Sequence, residues 1–451
     1  NEPGTIPNSF SKYLIHFCLN FGVHFSTSCF FSFLPLHFHI GYATINLKIT
    51  AVRQTGVTMN KNKLNRLDEM MQSQVDSGMI PGGHLRIIKD GERVYDKCFG
   101  MADVARSLKI SDNTIYRLYS MTKPVTAVAT MILYDRGLID LSDSVSWFLE
   151  GFKDQKVVTA DGIVPANREV KIIDLLTMTA GLMYPDRNVN PSGDKMADLF
   201  DKFYERAFSG NGTYSTVEMC NEMGKIPLFA QPGTCWNYSV CADVLGAIVE
   251  VVSKKRLGDF LKDEIFTPLG MNDTDFYVPA EKRDRFAEIY IRGEDGKLAP
   301  CDWQHLGLVY KYTKRPEFEI GGAGLVSTVN DYEKFAQMLL NGGKYGDTRI
   351  LSRKAVDLIS HNIITAEQAK TFNWDSCIGY GYGGLMRTLI NPEITTVGST
   401  GEYGWDGWTG NYFCNDPENN LTFMYFIQVC GGNGIRPLRT LKQVMYSALD
   451  D

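Results

Sequence analysis

Strand-forming patterns lie towards the two ends of this chain and helical patterns fill the stretch between them, an order that narrows the folds open to it. From 61 to 77 the apolar residues Leu64, Leu67, Met70, Met71 and Val75 recur at helical spacing. Two apolar-rich runs, 84–89 and 93–99, flank Asp90-Gly91, a dipeptide suited to a two-residue hairpin turn. Residues 114–119 are β-branched and aromatic and read as an extended segment. The region 140–320 is rich in helical patterns, and 187–216 reads as a polar surface excursion. Strands return at 411–414 and 421–429 across a turn at 415–419, and a helix over 438–449 closes the chain.

The first 58 residues have a different character. Between Tyr13 and Leu47 there is no Asp, Glu, Lys or Arg, and four of the seven histidines (His16, His24, His37, His39) lie there. An uncharged run of this length is long enough to span a bilayer, which keeps a membrane-anchored or exported protein open. Pro35, the histidines and several polar residues interrupt it, while Met59-Asn60-Lys61-Asn62-Lys63 reads as an ordinary start. The expectation is a leader at 1–58 outside the fold, a domain at 59–451, and a cytoplasmic protein if translation begins at Met59. A membrane partner follows only if the leader is real.

The chain carries 46 basic and 52 acidic residues with no basic block, so nucleic acid is not an expected partner. Ten cysteines include no Cys-x-x-Cys pair, and His84, His305 and His361 are far apart in sequence. Neither a zinc site nor a disulfide scaffold is indicated, and no cofactor or metal is expected.

Chemistry is carried first by Ser120-Met121-Thr122-Lys123. Behind it, Val125, Val128, Ala129, Ile132 and Leu133 have helical spacing, with Pro124 in the first turn, where a missing N–H costs little. Positions three apart share a helix face, so Lys123 should lie beside Ser120. Free amides and the positive end of the dipole suit a nucleophile whose product is an oxyanion. Ser-x-x-Lys also occurs at Ser9/Lys12 and at Ser192/Lys195, the latter inside apparent turn chemistry at 190–194. Alone, such a pair is most often a solvated Ser and Lys.

Two later elements change that reading. Tyr238 sits on a loop between the Gln231-Pro232-Gly233 turn and an apolar helix at 244–252, where a phenol can face a cleft. A glycine-rich stretch, Gly404-Trp405-Asp406-Gly407-Trp408-Thr409-Gly410, leads into the late strands, and glycine there marks a bulge or a close approach. No Gly-x-Ser-x-Gly elbow and no His-Glu-x-x-His helix offers a rival catalytic centre.

Ser120-x-x-Lys123, the Tyr238 loop and a glycine-flanked triplet on a late strand, in that order, resemble the serine β-lactamase and penicillin-binding protein superfamily. The resemblance is nearest to class C β-lactamases and family VIII carboxylesterases. Supporting stretches are Ile80-Pro81-Gly82-Gly83, 175–182, Phe266-Thr267-Pro268-Leu269-Gly270-Met271 and 321–328. The resemblance implies an α/β (α+β) fold: an antiparallel sheet flanked by helices, from about 59–119 and 320–451, with a mostly helical subdomain at about 120–319. It implies Ser120 as nucleophile, Lys123 as base, Tyr238 as proton shuttle, and an oxyanion hole from the amides of Ser120 and Trp408. Trp405, Asp406 and Gly407 would form the substrate edge.

Two departures choose the branch. Where lactamases have Tyr-x-Asn, this chain has Val240, and where they have Lys-Thr-Gly it has Trp405-Asp406-Gly407. The lysine that would hold a β-lactam carboxylate is missing, and Asp406 adds charge that an anionic substrate would meet unfavourably. A small to medium carboxylic ester, or an amide, is therefore the expected substrate. A β-lactamase, D-alanyl peptidase or D-amino-acid ester hydrolase is the alternative, and a β-lactam-sensing module the non-enzymatic one.

Overall fold

The computed structural model describes residues 59–449, apart from 211, 302–304, 307, 309–311 and 396. The leader at 1–58, and Ser9/Lys12 within it, lie outside the described residues. No helix among the described residues is long and apolar enough to cross a membrane.

After a short helical turn at Lys61–Leu64 comes α1 (Arg66–Asp76), then the hairpin β1 (Gly82–Lys89) and β2 (Glu92–Asp103), and the short β3 (Leu108–Lys109). Asp90 and Gly91 both take positive φ, 55° and 84°, as the favoured two-residue hairpin turn requires. Helix α2 (Thr122–Asp135) follows, then α3 (Pro191–Ser209), α4 (Cys241–Ser253) and α5 (Val329–Leu340). The late strands are β4 (Tyr380–Tyr382), β5 (Arg387–Leu389), β6 (Tyr403–Asp406), β7 (Tyr412–Asp416) and β8 (Leu421–Ile427), and α6 (Ile435–Ser447) is last.

All eight strands join one antiparallel sheet in the order β4-β5-β6-β7-β8-β1-β2-β3. The two ends of the chain meet at its centre, where β1 pairs with β8 from Gly83↔Ile427 to Lys89↔Leu421. Strand β8, Leu-Thr-Phe-Met-Tyr-Phe-Ile, is buried throughout because helices cover both faces of the sheet. On one face Leu85, Ile87, Phe423 and Tyr425 pack with Leu67 and Met71 of α1 and Leu441 and Met445 of α6. On the other, Ile88, Phe413, Met424 and Phe426 join the larger core of α2, α4 and α5. Helix α2 is buried all round from Thr122 to Leu133, which is why its sequence is apolar on more than one face.

Two readings need correction. The stretch taken as a polar excursion contains α3, nineteen residues long. Its apparent turn chemistry is a helix start: the Asn190 side chain accepts from the amides of Ser192 and Gly193, and Pro191 occupies the first turn. Residues 114–119 are extended as expected as far as Arg117, with Ile115 bridged to Phe286 and Tyr116–Arg117 paired with Val326–Ser327, before Tyr119 opens a 3-10 turn. The middle also holds two small hairpins, Lys156–Thr159 with Gly162–Pro165 and Tyr290–Arg292 with Leu298–Pro300.

Candidate active site

Ser120 lies in a single 3-10 turn, Tyr119–Met121, that runs directly into α2. Tyr119 is held at φ 46°, a left-handed conformation that a bulky residue adopts only where its surroundings impose it. One helical turn on, the Lys123 ammonium group is fully buried, with Nζ 3.1 Å from Ser120 Oγ and 2.7 Å from the carbonyl oxygen of Gly322. Of the three Ser-x-x-Lys pairs, only this one joins its two side chains among the described residues. Ser192 is buried while Lys195 points outward.

The support under Lys123 comes from Gly321-Gly322. Thr126 Oγ1 donates to the Gly321 carbonyl at 2.7 Å, and the Gly322 amide donates to Asp243 Oδ1 at 2.8 Å. A Cβ on Gly321 would fall 2.6 Å from the Ala242 carbonyl, and one on Gly322 3.1 Å from the Asp243 carboxylate oxygens, so the close approach requires glycine. Burial pushes Lys123 down to about 7, while the Asp243 and Asp406 carboxylates pull it back up. Burial raises Asp243 in turn, restrained by Lys123 and the Gly322 amide. Asp243, in the first turn of α4, was not singled out from sequence because nothing local distinguishes it from an ordinary helix-start acid.

Tyr238 reaches the same point from the loop before α4. Its ring centre is 4.6 Å from Lys123 Nζ, and its hydroxyl accepts a 3.0 Å hydrogen bond from the Trp405 indole N–H. Burial raises the phenol, and hydrogen bonds with Ser120 and Trp405 oppose that rise. Four rings fix its orientation: Tyr184, Trp236, Trp374 and Trp405, with centroids 5.0–6.0 Å away. The sequence offered Tyr238 as one aromatic among many; the cage around it comes from residues distant in the chain.

The third element lies across the cleft, with its side chains placed differently from expectation. Trp405 is buried and faces Tyr238 rather than forming an open substrate edge. Asp406 is ion-paired to Arg387 of β5 at 2.7 Å, so its charge is not free to repel an anion as the sequence suggested. Arg387 is itself buried, over the rings of Trp405, Tyr412 and Tyr380 at 5.1–5.6 Å. It was missed because a lone arginine 19 positions before its partner leaves no local signal. A Cβ on Gly407 would sit 2.3 Å from the Leu118 carbonyl, so glycine lets β6 close over the Ser120 turn. Trp408 packs on Tyr119 and His305, with ring centroids 5.2 and 4.1 Å away. Its amide finds no backbone acceptor among the described residues. Ser120 stands in a first turn, where amides have no intrahelical partner.

A buried serine and amine in contact, a caged phenol above them and a strand end closing over the serine form the frame expected of the superfamily. The Beta-lactamase family profile matches residues 67–443, most of the chain. The chain belongs to that family of serine hydrolases. Protein Rv1367c of Mycobacterium tuberculosis is 30% identical over 366 residues, which span 79% of this chain and 87% of that protein. A Salmonella typhimurium protein assigned by name to the D-alanyl-D-alanine carboxypeptidases is 29% identical over 400 residues, 83% of this chain and 85% of its own. Among solved structures, EstCE1, a hydrolase with promiscuous acyltransferase activity, superposes with TM-score 0.71 at 23% identity, covering 85% of this chain and 99% of its own. Simvastatin synthase (LovD) from Aspergillus terreus gives 0.70 at 20% identity, covering 86% and 99%. These likenesses establish the antiparallel-sheet architecture of the family for this chain.

Proposed function

We propose that this β-lactamase-family hydrolase cleaves small to medium carboxylic esters through an acyl-enzyme on Ser120. The observation that carries the reading is the buried 3.1 Å contact between Lys123 Nζ and Ser120 Oγ, made by an amine that no carboxylate hydrogen-bonds among the described residues. Held down to about 7, Lys123 is in part a neutral amine near neutral pH and can accept the serine proton. Oγ then attacks the ester carbonyl carbon, and the amides of Ser120 and Trp408 stabilise the oxyanion. The proton passes by way of the Tyr238 hydroxyl to the departing alkoxide, which leaves as the alcohol. Water, deprotonated by the Lys123–Tyr238 pair, attacks the acyl carbon and releases the acid, and the proton returns to Ser120.

The ester preference rests on what stands where lactamases hold their substrate. Val240 is buried and offers no side-chain amide, and the Asp406 position supplies a carboxylate already matched by Arg387. No unpaired cation is thus presented to a β-lactam carboxylate from this strand. A peptidase or lactamase is the second reading, favoured by the name of the Salmonella relative. Parallel assays with p-nitrophenyl butyrate, a chromogenic cephalosporin and a D-alanyl-D-alanine peptide separate the two. The proposal requires the ester to have by far the largest kcat/KM; a dominant cephalosporin or peptide activity would replace it with the second reading.

A further inference from the structure

The β1–β2 hairpin brings together a second group of chemically capable side chains, several strands away from the Ser120 cleft. His84 and Cys98 are direct cross-strand partners, so both project from the same face of the sheet. Asp112, on the segment leading from β3 towards Ser120, places Oδ1 3.8 Å from Cys98 Sγ and 3.9 Å from His84 Nε2. The three donor atoms all lie within 4.8 Å of one another. A point equidistant from three donors so spaced lies at most about 2.5 Å from each, so a shift of a few tenths of an ångström reaches zinc–nitrogen, zinc–oxygen and zinc–sulfur bond lengths.

We propose that His84 Nε2, Cys98 Sγ and Asp112 Oδ1 bind a divalent zinc-class cation that ties the β1–β2 hairpin to the segment preceding Ser120. A mixed nitrogen, sulfur and oxygen set selects a borderline cation over calcium or magnesium, which prefer oxygen alone. His84 Nε2 lies 2.6 Å from Asp96 Oδ1, a hydrogen bond that the metal bond replaces while Arg86 keeps both Asp96 oxygens, and water can take the fourth position from the exposed Asp112 side. Binding forms Zn–S, Zn–N and Zn–O bonds and displaces water from the ion. The Cys98 thiol proton leaves to solvent, and the His84 proton moves from Nε2 to Nδ1.

The surroundings accept a cation. Arg86 is hydrogen-bonded to both Asp96 oxygens and to Glu333 of α5, and Arg93 pairs with Glu333. Asp112 pairs with no lysine or arginine among the described residues, which leaves one surplus negative charge beside the thiol. His84 is fully buried and Asp112 is 61% exposed, so the site would be anchored on one side and open on the other.

The test is titration of the full-length protein with zinc against a chromophoric chelator, and with cobalt followed by its thiolate charge-transfer absorption. Other cysteines and histidines of the chain supply competing donors, so the readout is the difference made by Cys98→Ser and Asp112→Asn, one change at a partly buried position and one at an exposed position. The expected result is one equivalent bound with a dissociation constant of about 1 µM or tighter. Each variant should weaken it about tenfold or more, and the cobalt–thiolate band should be lost in Cys98→Ser. The absence of saturable binding, or affinity and band unchanged in both variants, would overturn the proposal.

Discussion

At the scale of single residues, the account rests on how burial sets the protonation of one amine. Desolvation lowers Lys123, and the anions at Asp243 and Asp406 limit how far. In the proposed mechanism the neutral amine accepts the serine proton, so kcat/KM should rise with pH along a limb near 7 and fall below it. Asp243→Asn removes an anion that favours the ammonium form, so the limb should move to lower pH; a pH–rate profile showing an upward shift would contradict this. Trp405→Phe keeps an aromatic ring, though a smaller one, and deletes the N–H whose hydrogen bond the Tyr238 hydroxyl accepts. It should lower kcat about tenfold, the worth of one hydrogen bond, with KM nearly unchanged. Ser120 and Lys123 were legible in sequence because they lie one helical turn apart. Asp243, Arg387 and Tyr184 were not, because each gains its meaning only from a residue far along the chain.

At the scale of elements, glycines and caps decide how closely the pieces approach. Gly407→Ala would press a methyl group against the Leu118 carbonyl, moving β6 away from the Ser120 turn. Both stability and kcat should fall, stability by about 1–3 kcal/mol in urea denaturation. Asn190→Ala removes the cap of α3 and should cost about 1 kcal/mol while leaving ester turnover intact. That contrast separates elements that shape the site from elements that only pack. The α1 helix, the Asp90-Gly91 hairpin and the β7–β8 pair were readable because their periods and turn residues are local. Helix α3 was misread because Asn-Pro-Ser-Gly is both turn chemistry and a cap followed by a permitted proline, and the choice depends on where Phe200 and Phe203 find a core.

At the scale of the whole molecule, the catalytic frame depends on a sheet assembled from both ends of the chain. The order of helix, strands, helices, strands and helix was visible in sequence and the resemblance implied one sheet from both ends, but the β1–β8 pairing at its centre was not read, since no local pattern encodes a ladder between residues 83 and 427. Helix α6 fastens this sheet through a buried ion pair, Lys442 with Glu402, to which Tyr380 and Tyr446 also donate. Lys442→Met would leave Glu402 buried without its cation and should cost about 3–5 kcal/mol, read from the urea midpoint. The central claim, that this sheet and the helices over it aim Ser120 at an acyl carbon, is tested most directly by mass spectrometry after exposure to an ester-mimicking phosphonate. The account predicts one adduct per chain, mapped to the peptide containing Ser120 and absent in a folded Ser120→Ala variant. An adduct elsewhere, or equal labelling and turnover in Ser120→Ala, would contradict it.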